Sequence, residues 1–146
     1  MLNNMYVASP NFSVHPIVLS PKSLEVVRPL YNASHSISCE VTGKPQVEVS
    51  WMKNALPISS GDFLPQNDTV IPLTDGPYGV TEAIKSQLSW IPQNTEATCE
   101  TVTKYDGNYQ CVDTMEELSE TRSPDIRIIN QCKFNKFVLC ICIHWP

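Results

Sequence analysis

The chain has 146 residues, within the roughly 100–200 of a single domain and enough to bury a real core. Hydrophobic residues make up 42% and charged residues only 17%, against about 25% in ordinary domains, so neutral polar Ser, Thr, Asn and Gln must cover much of a globular surface. Ten Lys and Arg against fifteen acids leave a net charge of −5, which excludes the basic face of a nucleic-acid binder and argues against direct attachment of the folded domain to anionic lipid.

Residues 1–15 carry no strand pattern and are predicted to form a disordered linker. They lack the basic and apolar regions of a signal peptide, so an extracellular domain with this sequence is expected to be a fragment or a gene model that lost its leader. Ile17-Val18-Leu19 and Ser23 to Val27 read as a first edge strand split by Pro21. His35 to Val41 alternates, with Ile37, Cys39 and Val41 on one face, and Thr42-Gly43-Lys44-Pro45 is predicted to turn. Val47 to Trp51 alternates again, and Asn54 to Pro57 turns the chain. The proline- and glycine-rich stretch 58–82 is predicted to hold one short edge strand around Val70-Ile71-Pro72-Leu73. Ile84 to Ile91 is the next strand, with Ile84, Ser86, Leu88 and Trp90 in phase. After a polar turn region from Pro92 to Glu100 and a turn at Tyr105-Asp106-Gly107, Asn108 to Thr114 forms a strand. Met115 to Ser123 is read as an acidic hairpin loop, and Ile126-Arg127-Ile128 opens the last strand.

Seven to eight closely spaced strands with polar turns and no long 3.6-residue period imply an all-β sandwich or barrel over residues 16–130. An even count of six cysteines points to an oxidising compartment, the alternative being reduced, buried thiols in the cytosol. Three Asn-x-Ser/Thr acceptor motifs, at Asn11, Asn32 and Asn67, are candidate glycosylation sites on a secretory route.

Cys39 is followed twelve residues later by Trp51 and seventy-two later by Cys111, and Asp106-Gly107-Asn108-Tyr109-Gln110 runs directly into Cys111. With Ser38-Cys39-Glu40-Val41-Thr42-Gly43-Lys44-Pro45 and Val49-Ser50-Trp51-Met52-Lys53-Asn54, this pattern resembles the intermediate set of the immunoglobulin superfamily. Leu88 stands where that family has an inward apolar residue. The resemblance covers about residues 16–130 and implies a Greek-key sandwich of two sheets. It also implies a Cys39–Cys111 bridge between them, Trp51 packed on the bridge, and Tyr109 bonded back to the backbone beside Asp106. The long span from Trp51 to Leu88 leaves room for extra edge strands, and Trp90 stands where smaller aliphatics are usual.

Cys99 and Cys132 are expected either to form a second bridge or to pair with a neighbouring domain. Residues 131–146 form an apolar tail containing Cys140, Cys142 and His144, too short to span a bilayer as a helix and without the spacing of a zinc site. It reads as a truncated membrane segment or an out-of-frame end. No catalytic triad, phosphate-binding loop, metal site or cofactor motif is legible, so an enzyme is not expected. Glu116, Glu117 and Glu120 cluster in the predicted hairpin loop, either as a solvated turn or as a contact surface. What the resemblance implies is a protein-binding module of a cell-surface receptor or adhesion protein, with an extracellular protein or cell-surface ligand as partner. The alternatives are a structural spacer in a multi-domain extracellular protein or a secreted decoy.

Overall fold

The computed structural model describes residues 12–29, 35–58, 66–90, 103–115 and 119–130. Its strands are β1 (Val14–Ser20), β2 (Glu25–Val27), β3 (His35–Lys44), β4 (Glu48–Lys53), β5 (Leu56–Pro57), β6 (Asn67–Pro72), β7 (Glu82–Trp90), β8 (Gly107–Met115), β9 (Ser119–Arg122) and β10 (Ile126–Ile128). One sheet has the order β1-β3-β7-β6. The other has the order β2-β10-β8-β4-β5, with β9 also paired to β8. All pairings are antiparallel except β2 with β10.

Proline explains why short segments outnumber the expected strands. It has no N–H to donate to a ladder, so a strand that meets one must break or change partner. Pro21 separates β1 from β2, and Pro124 separates β9 from β10. In the first case the chain leaves the sheet containing β3 and joins the one containing β10; in the second it stays beside β8 and resumes pairing further along. Counting each broken pair once leaves eight strands in two facing sheets.

The alternation of side chains sets which face is buried. Ile37, Cys39 and Val41 of β3, Ile84 and Leu88 of β7, Trp51 of β4, and Tyr109 and Cys111 of β8 meet in one core, closed at one end by Ile126 and Ile128 of β10. Cys39 and Cys111 have no exposed surface. Trp90 ends the β7 backbone, and its side chain lies outside the described set.

Several local expectations change. Thr42 to Lys44 do not turn but extend β3, because β1 supplies partners as far as Val14 opposite Lys44, and the Thr42 hydroxyl donates to the Glu82 carbonyl at 2.6 Å. The chain bends at Pro45 instead. Val14 and His15, placed by sequence in the linker, are already strand. Ser119 to Arg122, read as loop, form β9 because β8 continues to Met115 and offers them an edge. The edge strand expected near Val70 begins three residues earlier, at Asn67.

The β4–β5 hairpin turns through two residues, Asn54 and Ala55, between the Lys53–Leu56 pair. Both have left-handed backbone, with φ of 49° and 65°. This two-residue geometry matches the right-handed twist of the strands, but it is built for Asn followed by Gly. Asn54 fits: its side-chain oxygen accepts from the Asn108 N–H at 3.0 Å, and its own N–H donates to the Asn108 carbonyl at 2.8 Å. Gly107 is needed opposite, since at φ 154° a Cβ there would lie 2.9 Å from that oxygen. Ala55 carries a methyl group in a conformation that costs L-residues about 1 kcal/mol. Ala55→Gly is therefore expected to raise stability by about 0.5–1 kcal/mol in urea unfolding; a loss of stability would show that the turn is not built this way.

Candidate functional site

The inter-sheet bridge organises the interior. Cys39 on β3 and Cys111 on β8 are joined across the two sheets with their Cα atoms 6.5 Å apart. Trp51 lies beside Cys111 in the β4–β8 register and is only 4% exposed. Its indole N–H donates to the hydroxyl of buried Ser86 on the opposite sheet at 3.0 Å, so the largest side chain of the core also satisfies its polar atom. Tyr109 is fully buried, and its hydroxyl donates to the Tyr105 carbonyl at 2.7 Å. Next to it, the Asp106 carboxylate accepts from the N–H of Asn130 at 2.8 Å and from its side-chain amide at 2.7 Å, tying the chain after β10 to the turn before β8. Leu88, on β7 opposite Ile37, is 3% exposed.

The other candidate residues are spread out. Asn67 is exposed at the start of edge strand β6. Glu120 is on β9 and is ion-paired on the surface with Arg122 at 2.7 Å, rather than standing in an open acidic loop. Asn11, Asn32, Cys99, Glu116, Glu117, Cys132, Cys140 and Cys142 lie outside the described residues. Among the described residues no group of three His, Cys, Asp or Glu is placed to hold a metal ion, and no helix is long and apolar enough to cross a membrane. A cleft of about 410 Å³ opens near the end of β3, lined by aliphatic Val41, Val47 and Val80 and exposed Val70 of β6 together with polar Gln46 and Glu82.

The two outer faces differ. On the sheet containing β3, the rows level with the bridge are Ser38, Gln87 and Asn67, then Glu40, Lys85 and Thr69, all polar. On the other sheet, half-buried Met52 lies beside Gln110, and Val112, between Ser50 and Arg122, is covered by its neighbours. Toward the β2 edge of this sheet, exposed Val26 stands beside Arg127, while exposed Leu56 pairs with Lys53 on the other phase, the one that carries Trp51 and Tyr109. Charged groups lie among these apolar side chains: Arg122 with Glu120, and Arg127, whose Nε donates to the Asn108 side-chain oxygen at 3.2 Å.

Asp113 belongs to none of the motifs legible in the sequence. Two positions beyond Cys111 on β8, it takes the inward phase and has no exposed surface. Among the described residues, neither carboxylate oxygen has a hydrogen-bond partner on another residue. Burial raises its pKa from 3.8 to about 6, with its own backbone N–H offsetting part of the rise. The alternation carries the one signal that could have found it: a strand that buries Tyr109 and Cys111 also buries Asp113.

No family model and no curated protein matches the sequence. Solved structures do. Titin domain M7 is 13% identical with a TM-score of 0.51, covering 83% of this chain and 98% of its own. Titin M4 in a trigonal form is 14% identical with a TM-score of 0.51, covering 83% and 100%. This is an immunoglobulin-fold domain. Dpr2 Ig1-Ig2, solved in complex with DIP-Theta Ig1-Ig3, is similar too, at 18% identity and a TM-score of 0.51 over 79% of this chain. The present domain spans 32% of the length of that chain.

The tyrosine of the immunoglobulin fold gives a direct test of the interior. Tyr109→Phe keeps the ring and leaves the Tyr105 carbonyl without its donor, so it is expected to cost about 1–2 kcal/mol in chemical unfolding. A change under about 0.3 kcal/mol would mean that the hydroxyl contributes nothing to the fold.

Proposed function

We propose that this immunoglobulin-fold domain is an extracellular, non-catalytic protein-binding module of a cell-surface receptor or adhesion protein, and that it engages its partner through the outer face of the β10-β8-β4 sheet. The observation that carries this reading is the asymmetry of the two faces. Met52 and Val26 with Gln110, Arg122 and Arg127 bring to one face the apolar, Met and Arg side chains that are enriched where proteins meet. The opposite face is polar level with the bridge and carries Asn67, where an N-linked glycan would leave the β10-β8-β4 face open. The β8–β9 hairpin, with Glu120, borders the same face and would extend the contact. That Dpr2 was solved in complex with another chain of Ig domains supports protein recognition by this fold.

A spacer role has its own support in the polar rows Ser38-Gln87-Asn67 and Glu40-Lys85-Thr69, which offer a partner little apolar area. The two readings separate in one experiment. The domain, secreted from mammalian cells and multimerised, is expected to stain a subset of a cell panel. Met52→Glu and Arg122→Glu are each expected to weaken staining by about tenfold or more, a loss of about 1.4 kcal/mol at least, while Gln87→Glu leaves it within about twofold. Staining lost equally with Gln87→Glu would move the contact to the other sheet, and no staining of any cell would favour the spacer. In the same preparation, enzymatic removal of N-glycans is expected to lower the mass, and Asn67→Gln to abolish one glycan unit; an unchanged mass would contradict passage through the secretory route.

A further inference from the structure

Five polar or charged side chains are buried among the described residues: Thr42, Ser86, Asp113, Ser123 and Asn130. Four have partners. Thr42 donates to Glu82, Ser86 accepts from Trp51, Ser123 accepts from the Cys111 N–H and donates to the Pro124 carbonyl, and Asn130 binds Asp106. The Asp113 carboxylate has none, although an ionised group loses most by being dry.

Among the described residues, its neighbours supply no counter-charge. In register beside it are Val49 on β4 and Thr121 on β9. On β1 the buried positions are Val14 and Pro16, while His15 is exposed, and on β3 the inward residue beyond Cys39 is Val41. The charged residues of these strands take other places. Glu48 and Glu120 pair with Thr114, and Arg122 with Val112, on the outward phase of β8. Glu40 pairs with Lys85, and Lys44 lies over the Phe12 ring at 4.1 Å. Lys53 and Arg127 belong to the far end of β8, opposite Tyr109 and Asn108.

Water can reach the carboxylate by two routes along the sheet. Lifting β4 would break a register of six pairs and expose Trp51. Lifting β9 would break four pairs at the edge of the sheet, together with a 3.5 Å bond from the Thr121 hydroxyl to the Pro16 carbonyl on β1. The second route is the easier one.

We propose that Asp113 makes this end of the sandwich an acidity-sensitive latch: its neutral form packs with β9 closed, and its ionisation as pH rises favours opening of β9 to hydrate the charge. The direction follows from linkage. A carboxyl whose folded pKa lies above its unfolded value supports the closed fold fully below about pH 4, and that support is lost as pH rises through about 6. A rise of that size corresponds to a change on the order of a hundredfold in the opening equilibrium. The latch is thus tighter in mild acid than at neutral pH, the reverse of ordinary acid lability. It holds whether or not the domain binds a partner.

The test is amide hydrogen exchange of the oxidised wild-type domain at pH 5.0 and pH 7.5, corrected for intrinsic exchange rates, beside Asp113→Asn. Amides of β9 and of the β8 residues facing it are expected to lose protection by about tenfold between pH 5.0 and pH 7.5 in the wild type, the part of the full change that falls between these two values, with no such loss in Asp113→Asn. Equal pH profiles in the two proteins would overturn the proposal. Should Asp113→Asn fail to fold, the Asp113 side-chain carboxyl is followed by carbon NMR in the wild type. A midpoint near 6, with β9 amide shifts titrating in step, supports the latch; a midpoint near 4, or β9 shifts that do not follow it, overturns it.

Discussion

Two sheets that share no backbone ladder must be held face to face, and the covalent link between Cys39 and Cys111 sets the level at which they meet. It closes a loop with a sequence separation of 72 residues, which removes unfolded-chain entropy worth about 4 kcal/mol in the loop-closure model. Around it the alternation of each strand is fixed. Trp51 lies beside the bridge and bonds Ser86 across the gap, and Tyr109 and Asp106 tie down the approaches to β8. A one-residue slip of β8 against β4 would turn Cys111 and Tyr109 outward together, so the bridge fixes register as well as distance.

Features with a chemical reason to recur at fixed spacing could be read from the sequence. An inter-sheet disulfide needs two inward positions on facing strands, and Cys39 and Cys111 sit in clean alternating runs. The break at Pro21 was legible because proline cannot continue a ladder. By contrast, β9 was not legible: Ser-Glu-Thr-Arg is polar in both phases, and only the exposed edge of β8 makes it a strand. The end of β3 was misplaced for a similar reason, since Gly43 and Pro45 signal a turn while pairing with β1 holds the backbone extended through Lys44. Asp113 was placed in its strand but not singled out, because an acidic side chain is rarely buried without a partner, though the two-residue period puts it inside.

The same alternation divides the surface. A strand facing the bridge on one side must show its other residues to solvent, and level with the bridge the outward residues differ between sheets: Ser, Gln, Glu, Lys and Asn on one, Met52 among Gln and Arg on the other, with Val26 toward its edge. Recognition and glycosylation can therefore occupy opposite faces without competing. At the end of β8 the interior and the surface meet, since Asp113 points in while its neighbours Val112 and Thr114 take the outward phase beside β9. A change in how tightly β9 is held would thus be felt at the border of the proposed recognition face.

Peptide mapping of the secreted domain without reduction addresses the bridge most directly. Peptides containing Cys39 and Cys111 are expected to elute as one linked species that separates only on reduction. Free thiols at both positions, in protein that is folded and secreted, would contradict the covalent tie between the sheets and weaken the proposed extracellular setting.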